Sequence, residues 1–274
     1  MKIWVAAVFL GVTAALTVGL FLAPPKPVPV VWAHPACRNF YTRMFGKPSL
    51  EVRIVFGYKD ARPARFVADR YEMALLLQRL TAPCAAGRED CGFRWVFRGD
   101  ADEPEQYSKM VRGPDGNPHR VNLRVQQSSS GADDLTNRAN PFQKWQSEAA
   151  RTAFLEGIRT ADVVFYDGHS RLGGGPDFTP PRLTSDDHVD YAHYQSRQPG
   201  LANFLQALKE SSRLSVLGLF SCSSTQHFAK KIERSRPGLR LFASEKSLYF
   251  SEALDEALGA LNELLRMNCA VMSP

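Results

Sequence analysis

Asp162–Tyr166, DVVFY, is a short unbroken apolar run of β-branched and aromatic residues, and its reading decides the fold. A strand with one face in water alternates apolar and polar residues. A run without alternation belongs to a strand covered on both faces, the condition inside a parallel sheet. Leu214–Ser221, LSVLGLFS, has the same character. Between the two lies Leu201–Ser211 with helical spacing, and beyond them come a helical Thr225–Arg234 and a further strand, Leu239–Ala243. Strand, helix, strand, helix, strand is the pattern of a mostly parallel sheet with helices on both faces.

Working outward, Glu51–Tyr58 (EVRIVFGY), Phe93–Arg98 and the alternating Arg120–Gln126 (RVNLRVQ) read as strands. Arg65–Leu80, Phe142–Gly157 and Ser251–Arg266 read as helices, the last strongly amphipathic. Gly113–Pro118 and Ser128–Asp134 are turn-rich. The composition, 44% hydrophobic and 23% charged, suits a domain with a sizeable core. The net charge of +6 arises from 34 basic and 28 acidic residues spread along the chain. No run of Lys and Arg interleaved with aromatics marks a nucleic-acid groove, so nucleic acid is not an expected partner.

The N-terminus points to a compartment. Ile3–Ala23 is an uncharged stretch of 21 residues, ~30 Å long as a helix and sufficient to cross a bilayer. Residues 1–23 are therefore expected to be a signal anchor or signal peptide. The poor cleavage site at Phe21-Leu22-Ala23 favours the anchor. Residues 24–36, opening with Pro24-Pro25-Lys26-Pro27-Val28-Pro29, read as a stiff linker, and 37–274 as one α/β domain facing out of the cytoplasm, on the periplasmic or extracellular side. Five cysteines leave an odd thiol in an oxidising compartment. Cys84 and Cys91 flank a short loop that a disulfide would close, while Cys37 and Cys269 lie near the two domain ends. That pairing leaves Cys222 over, although other pairings satisfy the same count.

Cys222 also has the most reactive setting. Chemistry in open α/β sheets gathers at the carboxyl ends of the strands. There Asp162–Tyr166 runs into Asp167-Gly168-His169-Ser170, and Leu214–Ser221 into Cys222-Ser223-Ser224-Thr225. A thiol at a strand-to-helix junction gains from the positive end of the helix, for which Ser223, Ser224 and Thr225 are suitable caps. A histidine at the neighbouring strand end would serve as its acid or base, and backbone amides as an oxyanion site.

VVFYDGHSRLGGG and LGLFSCSS, 222 − 169 = 53 residues apart at their reactive positions, resemble the corresponding blocks of caspase-like cysteine peptidases, nearest the gingipain and separase branches. The resemblance spans Glu51–Arg266, its specific part being these two blocks. It implies a three-layer caspase-like sandwich, with Cys222 as nucleophile, His169 as acid/base and the amides of Ser170 and Cys222 on the oxyanion. It also implies a peptide or protein substrate and no cofactor. Ser170 stands where the family carries glycine, and Phe220-Ser221 replaces the Gln-Ala of caspases. Gly168 and Asp177 are weaker candidates for substrate contact, Asp177 through a basic substrate side chain.

Three rivals compete. Gly168-His169-Ser170 imitates the nucleophile elbow of serine hydrolases, but Gly173-Gly174-Gly175-Pro176 denies it the helix that must follow. Asp186-Asp187-His188-Val189-Asp190-Tyr191-Ala192-His193 carries metal-ligand residue types without a tight spacing, and is read as a solvated loop rather than a Zn²⁺ or Ca²⁺ site. Finally, the domain is also readable as a tethered binding module without catalysis. For that module, Leu172–Pro181 (LGGGPDFTPP) would be a docking rim rather than a substrate lid.

Overall fold

The computed structural model describes residues 34–61, 66–99 and 103–269. The expected anchor and most of the proline-rich linker lie outside the described residues. Among those described, no helix is long and apolar enough to cross a membrane.

Helix α1 (Pro35–Phe45) opens the domain, starting two residues before the boundary read from the sequence, with His34 as its N-cap. Strand β1 (Ser49–Phe56) follows, then the short pair β2 (Asp60–Ala61) and β3 (Phe66–Val67), then α2 (Asp69–Thr81). The antiparallel strands β4 (Arg94–Phe97), β5 (Glu105–Arg112) and β6 (Pro118–Gln126) lead to α3 (Asp134–Ala139) and α4 (Gln143–Thr160). Then come β7 (Val163–Asp167), a 3-10 turn (Arg171–Gly173), α5 (Tyr191–Arg197), α6 (Leu201–Glu210), β8 (Val216–Phe220), α7 (Ser224–Ser235), β9 (Arg240–Ala243) and α8 (Phe250–Leu265).

The main sheet runs β4-β5-β6-β1-β7-β8-β9 and is parallel from β6 to β9. Every residue of β7 and β8 is buried, as their unbroken apolar runs require. Alternate residues sort into two cores. Val52, Ile54, Phe165 and Leu123 meet α1, α2 and α8 on one face, while Val55, Val164, Tyr166 and Leu217 meet α4, α6 and α7 on the other. The helix expected from Arg65 begins at Asp69, because Phe66 and Val67 pair with β2 instead.

Two disulfides close, Cys37–Cys269 and Cys84–Cys91, leaving Cys222 free. The first ties α1 to the chain beyond α8. Such bonds belong to oxidising compartments.

Candidate active site at the strand ends

β1 is the switch point of the sheet. The chain passes from β1 to the β4–β6 side, then returns to lay β7, β8 and β9 on the other side of it. Crevices open at the carboxyl ends of strands at such a point. Here the ends are Gly57–Asp60 after β1, Gly168–Arg171 after β7 and Ser221–Thr225 after β8.

Asp167 and Phe220 are register partners, and Gly168 N–H donates to Phe220 O at 3.3 Å. His169 and Cys222 therefore each stand two residues beyond a paired position on adjacent strands. The imidazole and the sulfur are brought to the same end of the sheet but form no hydrogen bond with each other. His169 Nε2 lies 3.1 Å from Asp60 Oδ1 and 3.3 Å from Asp60 O. Both partners are acceptors, so Nε2 carries the hydrogen of the neutral ring and Nδ1 is its basic atom. Burial and the Arg171 charge lower the His169 pKa, against the opposing pull of Asp60.

Cys222 is half-buried. Leu248 N–H points at its sulfur at 3.4 Å, and the thiol in turn faces Leu248 O at 3.7 Å. Ser223 N–H to Lys246 O (2.9 Å) and Thr225 N–H to Ser244 O (3.0 Å) lash the 244–248 segment over the start of α7. The serine caps expected here are not formed. Ser223, at φ +51°, makes no side-chain cap, and Ser224 Oγ instead donates to Leu219 O and accepts from Ser244 N. The first amides of the helix are met by backbone carbonyls instead, Ser224 N–H by Ser221 O at 3.2 Å as well as the two bonds to the 244–248 segment. The amides of Ser170 and Cys222 donate to no described residue.

Two residues beneath the site escaped the sequence reading. Arg171, with a side chain 1% exposed, places Nη2 2.7 Å from Asp60 Oδ1 and Nε 2.9 Å from Asp177 Oδ2. To do so it takes φ +46°, followed by Leu172 at +50°, backbone that non-glycine residues adopt only when surroundings impose it. Burial would raise the Asp60 carboxyl, but the His169 hydrogen bond and the Arg171 charge outweigh it and hold it well below the usual range. Tyr166 Oη, 3.0 Å from His169 O, accepts Asp177 N–H at 2.9 Å and pins the two loops together. An added Cβ at Gly168 would lie 2.3 Å from that oxygen, so the packing on Tyr166 requires a glycine here.

Asp177 is likewise not the exposed carboxylate the sequence suggested. Its carboxylate is taken by Arg171 and Thr179. Residues 174–181 of the Leu172–Pro181 segment wall a cavity of about 390 Å³, with Phe154 and Phe204 also lining it.

Further in, Lys59 is buried between Glu72 (Nζ–Oε2 2.7 Å) and Asp167, whose Oδ2 has no hydrogen-bond partner. Burial and the Asp167 charge push Glu72 up to about 9, and burial raises Asp167 too. One ammonium against two buried carboxyls retains a proton on the pair at neutral pH.

The rival motifs are dispersed. Ser170 is buried and followed by a 3-10 turn instead of a helix, with no histidine bonded to its hydroxyl. Asp190 caps α5 through His193 N–H, and the described residues contain no group of three or more His, Cys, Asp or Glu arranged for a metal. No protein-family model and no curated protein matches the sequence.

Proposed function

We propose that the chain is a cysteine hydrolase of caspase-like architecture that cleaves peptide bonds through a Cys222 thioester, with Asp60 orienting the His169 ring. The observation that carries this reading is the side-by-side exit of His169 and Cys222 from β7 and β8, beside two amides with no other partner. In the proposed reaction His169 Nδ1 takes the Cys222 thiol proton as the sulfur attacks the carbonyl carbon. The amides of Ser170 and Cys222 receive the oxyanion, and the amine leaves with a proton from His169 Nδ1. Water then hydrolyses the thioester. The sulfur–imidazole hydrogen bond absent from the free enzyme forms in the substrate complex, as such bonds commonly do. The reading places the domain outside the cytoplasm, held at a membrane by residues 3–23.

A second reading is an inactive binding module. It is favoured by the engagement of both groups elsewhere, His169 with Asp60 and Cys222 with Leu248. Labelling with a thiol-directed electrophile separates the two. Rapid modification of Cys222 that falls about 10²-fold or more in His169→Ala supports the hydrolase. A rate equal to that of an ordinary exposed thiol, unchanged by His169→Ala, supports the module.

A further inference from the structure

The sheet is not covered evenly. On its α4 side the helices lie over β1, β7 and β8, whereas the extension formed by β6, β5 and β4 carries a polar face studded with exposed side chains. Strand register fixes which residues share that face, because directly paired residues point the same way. Arg53 pairs with Arg124, which pairs with Gln106. Asn122 pairs with Ser108, which pairs with Arg94, and Arg120 pairs with Met110. Arg112, opposite Pro118, completes the surface. Five of the face's residues beyond β1 are thus Arg94, Arg112, Arg120, Arg124 and the apolar Met110.

Charge on this face is offset only in part: Glu148 and Glu156 of α4 line the same groove as Arg53 and Arg124, and Glu51 and Glu156 oppose the lowering of the Arg53 pKa. Arg53, Arg94, Arg120 and Arg124 form no ion pair with a described carboxylate. Glu51, the acidic residue in the same rows, is committed to Ser49 and Asn122, each at 2.7 Å. Like charges directly opposite on neighbouring strands repel, yet Arg53 and Arg124 sit in register. Burial and the Arg124 charge bring Arg53 down to about 10. Apolar groups accompany the arginines: Met110, Phe97 opposite Gln106, and Trp145 of α4 at the Arg53–Arg124 groove, all exposed.

We propose that this face docks on an anionic phospholipid surface. The array extends ~15 Å across the strands and ~20 Å along them, a two-dimensional spread of positive charge that many phosphates of a lipid surface can meet at once. Exposed aromatic and thioether side chains among arginines suit the boundary between headgroups and acyl chains. Ten residues separate the uncharged Ile3–Ala23 run from His34, at most ~36 Å of chain, so on the proposed reading that this run is held in a bilayer the domain stays close to that surface, and α1, on the opposite sheet face, leaves the arginine face uncovered. Each arginine at such a surface strengthens binding roughly fivefold.

The test uses the full chain in nanodiscs of phosphatidylcholine with or without phosphatidylserine. Phenylglyoxal modification of single arginines is followed by peptide mass spectrometry. Arg94, Arg120 and Arg124 are expected to react more slowly in the anionic discs alone, with the difference lost at high salt, while exposed Arg234 on α7 reacts alike in both. In the triple variant Arg94→Ser/Arg120→Ser/Arg124→Ser, the preference for anionic over neutral vesicles should fall roughly 100-fold. Equal modification in both discs overturns the proposal. So does protection that appears only on adding poly-glutamate, which would make this a protein-docking face.

Discussion

Asp60 and His169 are joined twice, Nε2 of the ring lying 3.1 Å from the carboxylate and 3.3 Å from the backbone carbonyl of the same residue. The carboxylate favours the charged ring, whereas burial and Arg171 disfavour it. Asp60→Asn removes the favourable charge, so His169 should titrate at a lower pH than in the parent, read from its C2 proton by NMR. On the proposed hydrolase reading, turnover should fall about 10²-fold with KM little changed, since the loss is one of ring placement. An unmoved His169 midpoint would rule out the role given to Asp60.

Glu72 supplies a pH dependence of opposite sense to the usual carboxylate. Its folded pKa of about 9 lies above its unfolded value of about 4.3, so the folded state binds the extra proton. Its contribution is complete below about pH 4.3 and is lost as pH rises toward 9, with a limiting slope of about 1.4 kcal/mol per pH unit for one proton. Urea denaturation from pH 5 upward, on the scale of about one titrating group, should show stability declining. Glu72→Gln, a neutral stand-in for the protonated acid, should flatten that decline. Lys59→Met strands both carboxyls without their ammonium and should cost about 3–5 kcal/mol at neutral pH.

Much of the parallel half of the fold was legible, because β7 and β8 announce themselves as unbroken apolar runs and α8 as an amphipathic one. The antiparallel strand β5 was not. EQYSKMVR buries only Tyr107 and Val111, so its alternation is too thin to stand out from a loop. α1 was hidden behind the proline run, since Pro35 at a first helical turn looks the same in sequence as a linker proline. His169 and Cys222 could be placed because strand ends are local features. Asp60 and Arg171 could not, since their pairing spans 111 positions and leaves no periodic trace.

The two disulfides should differ in weight. Cys37–Cys269 closes a separation of 232 residues and Cys84–Cys91 one of 7. Loop-closure entropy assigns about 5–6 kcal/mol to the first and about 2–3 kcal/mol to the second. Chemical denaturation of the paired serine variants checks the order. A larger loss from Cys84→Ser/Cys91→Ser would show that the long cross-link constrains little in the unfolded chain.

Arg171 provides the strictest test of how the site is supported. Its buried guanidinium separates two half-buried carboxylates, Asp60 and Asp177, while its own backbone is held at φ +46°. Arg171→Met leaves both acids without a counter-charge and should destabilise by about 3–5 kcal/mol. Arg171→Lys keeps the charge but replaces a planar fork with a point donor that cannot span Nε and Nη2 positions, so it should recover only part of that loss. Adding Asp60→Asn and Asp177→Asn to Arg171→Met removes the uncompensated charges and should restore stability well above the single variant. Catalysis should not return with it, because His169 has lost its carboxylate. Recovery of turnover together with stability would mean that the buried ion pairs hold the fold alone, and that the imidazole takes its orientation from elsewhere.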